Sequence, residues 1–384
     1  MNKRVGEYIT QKVAGEAYGT YIPPPLPPEP PIDLAKIFPY LEKATQALAE
    51  LNSVHKSIPN TSLFIYMYIR KEALLSSQIE GTQSSFSDLM LFEHDQKPAV
   101  SLEDVEEVAN YVKAIKHGLN RLKGGFPLSL RLLKEIHSVL LSGGRGSGNL
   151  PGEFRRSQNW IGGTRPGNAI FVPPSVDQLD RCLDNFEHFL HDDSLPILIK
   201  AGLVHVQFET IHPFLDGNGR LGRLLITLLL CNSGVLDEPI LYLSLYLKQN
   251  RHAYYELLQE VRTHGTWETW LEFFLKGIYK SAKQAVNTTH LINSLFEQNR
   301  KKIEELGRAR FSCEQALEYM KKLPQVTAPL LARELGMTAP TARDALNRMV
   351  MLGILEEKTK KQRDKIYIYR KYLDVLDEGT EPFF

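Results

Sequence analysis

Apolar residues recur at helical spacing from Ile32 onward: Leu34, Ile37, Leu41, Ala44 and Leu48 share one face, and Asp33 stands where an N-cap belongs. The spacing continues, with breaks, to about Leu141 and includes a helical stretch from Tyr66 to Ile79. Before it, Pro23 to Pro31 is proline at all but two positions, Leu26 and Glu29. Proline fixes φ and removes a backbone donor, so this run predicts a stiff polyproline arm on the surface. Between Gly143 and Pro174 the composition shifts to Gly, Pro, Arg and Asn. Two β-prone pieces there, Asn159-Trp160-Ile161 and Ala169-Ile170-Phe171-Val172, flank Gly162 to Asn168 and predict a hairpin with a long tip. Helical spacing resumes at Val176 and runs to about Ala285; within it Ile197, Ala201, Val204, Phe208 and Ile211 step by four, three, four and three. That helix should stop at His212, because a residue preceding proline avoids the αR region. A loop from Phe214 to Arg220 then leads to an apolar helix from about Leu221 to Cys231, closed by Asn232-Ser233-Gly234.

These patterns predict a mainly α fold divided into a proline-containing arm (1–31), a helical region (32–110), a larger helical core (111–285) and a C-terminal part (286–384). With 384 residues and 43% hydrophobic content the chain can fill two or three cores. Lys plus Arg total 46 against 45 Asp plus Glu, so a net charge of +1 excludes neither nucleic acid nor anionic ligands. Cys182, Cys231 and Cys313 show no metal-ligand spacing and read as reduced thiols. The longest apolar run, Leu224 to Cys231, falls far short of the roughly 20 residues a bilayer needs, and no signal-type stretch opens the chain. A cytoplasmic protein without a membrane partner is the expectation.

The chemistry concentrates after His212. Glycines in Asp216-Gly217-Asn218-Gly219-Arg220 let backbone N–H groups approach an anion, the following helix offers unpaired N-terminal donors, and Arg220 and Arg223 add two charges. Asp216 would repel a phosphate unless a cation intervenes, and one carboxylate with phosphate oxygens is how Mg²⁺ is commonly held. His212, four residues before Asp216, titrates near neutrality and can take a proton from a hydroxyl. Gly217, Gly219 and Gly222 also spell GxGxxG, with Asp237 at the distance of a ribose-binding acid, but that fingerprint follows a strand and this one follows a helix.

His212-Pro213-Phe214-Leu215-Asp216-Gly217-Asn218-Gly219-Arg220-Leu221-Gly222-Arg223 resembles the Fic signature HPFx(D/E)GNGRxxR at every defined position. The resemblance implies an all-helical core that transfers AMP from ATP to a Ser, Thr or Tyr hydroxyl of a target protein, and of the chain itself. His212 would be the general base, Asp216 the Mg²⁺ ligand, and Phe214 a buried anchor. Gly217, Asn218 and Gly219 would form the anion hole, and Arg220 and Arg223 would hold phosphates. Gly152-Glu153-Phe154-Arg155 and the piece from Asn159 through Trp160, Ile161, Gly162 and Gly163 resemble the family's flap, whose edge pairs with the target segment. Asn250, Tyr254 and Tyr255 would line the adenine. Ser76-Ser77-Gln78-Ile79-Glu80-Gly81 resembles the inhibitory pattern (S/T)xxxE(G/N), in which Ser76, Glu80 and Gly81 are the specified positions; Glu80 would pair with Arg223 and displace the γ-phosphate. The family also suggests a homodimer. Removal of AMP by a water that Glu80 activates, and transfer of UMP or phosphocholine, stay open.

Residues 307–373 read as a separate module. A helix from Ala328 to Leu335, a turn at Gly336-Met337-Thr338 and a helix from Ala339 to Leu352 precede two strands, Gly353 to Glu356 and Lys365 to Tyr369, around Lys358 to Asp364. That is a winged-helix pattern. Thr338, Thr341, Arg343, Asn347 and Arg348 on the second helix, with Lys358, Lys360, Lys361, Arg363 and Lys365 on the wing, offer contacts to DNA phosphates. A second reading follows, in which the chain is a nucleotide-sensing, DNA-binding regulator.

Overall fold

The computed structural model describes residues 4–13, 15–56, 61–93, 100–143, 146–358 and 365–381. The chain begins with a hairpin that the sequence reading did not anticipate, β1 (Glu7–Val13) against β2 (Glu16–Ile22), antiparallel with Glu7 opposite Ile22. The proline run after it is strapped down rather than free: Gln207 Nε2 donates to the Pro24 carbonyl (2.8 Å), and Arg4 donates to Pro30 and Pro31 while pairing with Glu268 at 2.6 Å.

The helices follow in order: α1 (Leu34–Lys56), α2 (Thr61–Ile79), α3 (Phe86–Glu93), α4 (Leu102–Lys123), α5 (Leu130–Leu140), α6 (Val176–Leu190), α7 (Ile197–Ile211), α8 (Asn218–Asn232), α9 (Ser244–Gln249), α10 (Arg251–His264) and α11 (Trp267–Glu304). Helix α1 buries Ile37, Ala44, Leu48 and Leu51 and packs along α11. Asp33 starts α1 through its carbonyl, which accepts from Lys36 N–H at 3.2 Å. The sequence pattern gave α7 one apolar face, whereas the fold buries it from Leu198 to Ile211 on all sides. A helix buried all round is central to its domain, so its polar residues His205, Gln207, Glu209 and Thr210 need partners inside the protein. Helix α11 runs unbroken for 38 residues, so the division expected at 285/286 falls inside it.

Beyond α11 lie α12 (Arg310–Lys322), β3 (Gln325–Thr327), α13 (Ala328–Leu335), α14 (Ala339–Met351), β4 (Glu356–Glu357), β5 (Ile366–Ile368) and α15 (Arg370–Asp377). The sheet order is β3-β5-β4. Thr338 caps α14 by accepting from Thr341 N–H, as its sequence position predicts, and Gly336 turns the chain at φ 63°. The strand expected from Gly353 is shorter than its apolar run, because Ile354 and Leu355 donate back to the Met349 carbonyl and close the helix. The cations Lys360, Lys361 and Arg363 lie outside the described residues. No helix among the described residues is long and apolar enough to cross a membrane.

Candidate active site

Helix α7 stops where Pro213 demands, and His212 takes a left-handed conformation (φ 48°, ψ 59°) that costs a residue with a Cβ about 1–2 kcal/mol. The surroundings hold it there. Arg155 Nε (3.1 Å) and Asn159 Nδ2 (3.1 Å) both donate to the His212 carbonyl, Arg155 N–H donates to Pro213, and Asn159 Nδ2 also reaches Phe214. Gly217, at φ 75°, turns the chain into α8, whose first-turn N–H groups point into a cleft of about 170 Å³. Glu80, Glu107, His212, Asp216 and Gly217 to Arg220 line that cleft.

Burial pushes the His212 imidazole down to about 4, helped by the charges of Arg262 and Arg155. It is therefore neutral at physiological pH, the form that can accept a proton. Asp216 turns one oxygen to Gly217 N–H (2.6 Å) and stands 3.5 Å from Arg220, a long contact that leaves carboxylate oxygen facing the cleft.

Arg223 is buried and held through its Nε and Nη2 donors. Its Nε donates to Ser76 Oγ (2.9 Å), and its Nη2 donates to the Ser76 carbonyl (3.0 Å) and to Glu80 Oε1 (2.6 Å). Burial, which opposes the guanidinium charge, is outweighed by Glu80 together with Tyr254, Tyr255 and Glu209, and the pKa of Arg223 rises. Glu80 shows the converse: burial would raise its carboxyl, but Arg223 and then Arg220 and His212 hold it below the ordinary value. The carboxylate reaches deep into the loop, for a Cβ placed on Gly219 would come within 2.3 Å of Glu80 Oε1. Only glycine at 219 admits an anion this close. Gly81, at φ 105°, ends the helical turn that delivers Glu80.

Two expected nucleotide contacts have other duties. Asn218 spends its side chain on Phe214, accepting from its N–H and donating to its carbonyl at 2.9 Å each, so it staples the loop and offers an incoming phosphate only its backbone. Tyr254 is core: 1% exposed, it packs against His205 and Trp270 and its hydroxyl sits 2.8 Å from His205 Nε2. Tyr255 is 41% exposed, and its phenol lies near enough to Glu80 and Arg223 to respond to both charges. Asn250 donates to the Tyr246 carbonyl ahead of α10. The flap contains one β-bridge, Ile161 with Phe171, rather than two regular strands. Its tip is closed by Asn168, whose Oδ1 accepts from Thr164 and Arg165, and Tyr21 of β2 joins it by donating to Val172. Gly162 and Gly163 both have φ 70°, while Trp160 and Ile170 stay exposed.

Several residues that shape the site carry no motif. Glu107 of α4 forms a buried pair with Arg220 (3.0 Å). Arg262 donates to Thr210 and to the Glu209 carbonyl, and its guanidinium lies 4.0 Å over the Phe171 ring, tying the flap to α7. His137 of α5 stacks on Phe214 with ring centroids 3.7 Å apart. Its Nδ1 accepts from Gly152 N–H (2.8 Å), which leaves the proton on Nε2 to donate to the Asp216 carbonyl (3.0 Å). Burial holds it down to about 4, so this neutral tautomer persists at physiological pH. His137→Phe keeps the stack and orphans both backbone groups, so urea unfolding should show a loss of about 1–3 kcal/mol. A variant within about 0.5 kcal/mol of the parent would contradict the bridge.

Comparisons with known proteins bear on the family and the fold. Residues 38–120 match the Fic/DOC family N-terminal model and residues 127–230 the Fic/DOC family model. The chain thus carries matches to the family's domain and to its N-terminal companion. It is 30% identical over 221 residues to the protein adenylyltransferase Fic of Drosophila virilis, covering 56% of this chain and 41% of that protein. With the protein of the same name from Drosophila grimshawi it is 33% identical over 162 residues, 41% of this chain and 30% of the relative. The chain thus spans less than half the length of these relatives. Among solved structures, a Fic family protein from Desulfovibrio desulfuricans superposes with a TM-score of 0.57 at 18% identity, covering 87% of this chain and 95% of that one. Fic-1 from C. elegans (residues 134–508) gives 0.51 at 20% identity, over 67% of this chain and 73% of the other. These structural likenesses establish the mainly helical Fic fold.

Proposed function

We propose that the protein is an adenylyltransferase that moves AMP from Mg-ATP to a protein hydroxyl and that Glu80 holds it in an inhibited state. The observation that carries this reading is a carboxylate standing in a phosphate cradle. Glu80 Oε1 lies against Gly219 and on Arg223, the position and the partner that an ATP phosphate needs. The names of the relatives, protein adenylyltransferase Fic, point to the same chemistry.

In this scheme a Ser, Thr or Tyr oxygen attacks the α-phosphorus, the bond to pyrophosphate breaks, and His212 takes the hydroxyl proton. Arg220, fixed by Glu107, and the α8 N-terminus stabilise charge on the phosphates. Mg²⁺ suits the donor set, since Asp216 offers hard oxygen beside the cradle and no group of three His, Cys, Asp or Glu among the described residues forms a protein cage. When bound it would neutralise phosphate charge. The exposed Trp160 and Ile170 and the half-buried Ile161, with Gly162 and Gly163, would present the target segment, and Asn250 and Tyr255 would flank the base. Self-modification, a homodimer and a cytoplasmic setting belong to the same proposal.

Incubation with Mg²⁺ and ATP labelled on either the α- or the γ-phosphate tests the chemistry. Label is expected on protein from the α-position alone; transfer from the γ-position would mean phosphorylation and overturn the scheme. Because the His212 pKa is lowered, the base form is complete above it and is lost only as pH falls through about 4. Transfer should accordingly show no His212 inflection near 6.5, and a step there that His212→Asn removes would contradict the burial argument.

The C-terminal module is read as a winged helix whose DNA contacts are fewer than its composition suggests. Arg348 pairs with Asp344 at 2.7 Å, and Asn347 accepts from Tyr367. Duplex DNA binding that weakens steeply with salt would favour the regulator reading instead.

A further inference from the structure

Gln78 lies inside the inhibitory motif, two residues before Glu80, and is 1% exposed. Its side chain is fully committed. Nε2 donates to the Ser84 carbonyl (2.9 Å) and to the Thr380 carbonyl (2.7 Å), and Oε1 accepts from Lys248 Nζ (2.7 Å). Lys248, buried on α9, also donates to the carbonyls of Gly379 (3.4 Å) and Glu381. Two buried side chains thus gather three successive backbone carbonyls of a segment 302 residues from Gln78 and 131 to 133 from Lys248.

The segment is shaped for this seat. Gly379 has φ 77°, and a Cβ there would meet Leu245 Cδ1 at 2.6 Å. Thr380 is buried and bonds through N–H and Oγ1 to the Asp377 carbonyl. Lys71, 2% exposed on α2 with no hydrogen-bond partner for its Nζ among the described residues, faces the charges of Glu378, Asp377 and Glu381. Withdrawing the segment would leave Gln78 Nε2 and Lys248 short of acceptors inside the protein, a costly state. The last turn of α2 is complete only with residues 379–381 in place.

We infer that residues 377–381 are a latch that fixes the inhibitory end of α2, so that displacing them raises AMP transfer. The inference rests on the reading of Glu80 as inhibitor. It gives the C-terminal unit a role, because β5 ends at Ile368 and α15 begins at Arg370, leaving only Tyr369 between the sheet and the helix that carries the latch. Movement of that unit is then coupled to the site through a two-state element, the latched and unlatched end of α2.

The test uses the full chain with Gly379→Val, which forbids both the backbone angle and the approach to Leu245, and a second variant lacking everything after Asp377. Each should incorporate on the order of 3–10-fold more AMP than the parent, the bias expected from about one net hydrogen bond. Amide exchange over residues 77–83 should rise in both. In a Glu80→Gly background neither change should add further activity, and retention of the Glu80→Gly rate shows that the variants are folded. If Glu80→Gly is fast while both latch variants label and exchange like the parent, the latch is overturned and the inhibition reading survives. If Glu80→Gly is itself no faster than the parent, inhibition by Glu80 falls, and the latch as a regulator falls with it.

Discussion

Glu80→Gly is expected to raise AMP transfer by on the order of 10–100-fold. Hydrogen bonds to charged groups are worth about 1.5–3 kcal/mol, and each 1.4 kcal/mol of released bias is tenfold in the fraction of competent sites. Three features make the effect one of release. Glu80 contributes no core packing that glycine would leave empty, since over a third of its side chain is exposed. The neighbouring Gly81 already breaks the helix, so a second glycine disturbs little. Ser76, whose hydroxyl and carbonyl still bind Arg223, keeps the guanidinium near its post. Initial rates of α-label incorporation at saturating Mg-ATP measure the change; equal rates in parent and variant would remove the inhibitory role.

His212→Ala should reduce transfer by about 10²–10⁴-fold, the range that positioned general bases supply. The loss should appear in kcat more than in KM, because in the proposed scheme His212 meets the nucleophile while Arg220, Arg223 and the α8 N-terminus meet the phosphates. It should appear equally in the Glu80→Gly background, since base and inhibitor act on different steps. A variant that retains more than about a tenth of the activity would assign the base elsewhere. Of the nearby acids, Glu209 is buried and pushed up to about 7 by that burial, and it is the group to test next.

The shape of the candidate loop was legible because its determinants are local. Pro213 ends α7, Gly217 turns the chain, and the helix that follows starts within a residue of the turn, so contiguous residues predict the cradle. The pairing of Glu80 with Arg223 was legible from a short pattern and its place at a helix end. The supports were not. His137, Glu107 and Arg262 are single polar residues on amphipathic helices, and in sequence a solvated polar residue looks the same as one buried against a distant partner. Asn218 shows the limit of adjacency: its neighbours face the cleft, yet its amide closes onto Phe214. Tyr254 shows the other side, an aromatic on a helix taken into the core. The β1–β2 hairpin had a signal, two seven-residue runs rich in β-branched and aromatic residues around Gly15, which the proline run after it obscured. The proposed latch could not be read, since Gln78 and Lys248 recognise backbone carbonyls, and in sequence Gly379 and Thr380 look like any turn.

The central claim, transfer of AMP with His212 as base under restraint by Glu80, is tested most directly by intact-mass analysis of Glu80→Gly and of Glu80→Gly with His212→Ala after incubation with Mg-ATP. The account predicts a gain of one AMP in the first and none in the second. Equal gains in both would contradict His212 as the base, and no gain in either would contradict transfer to the chain itself.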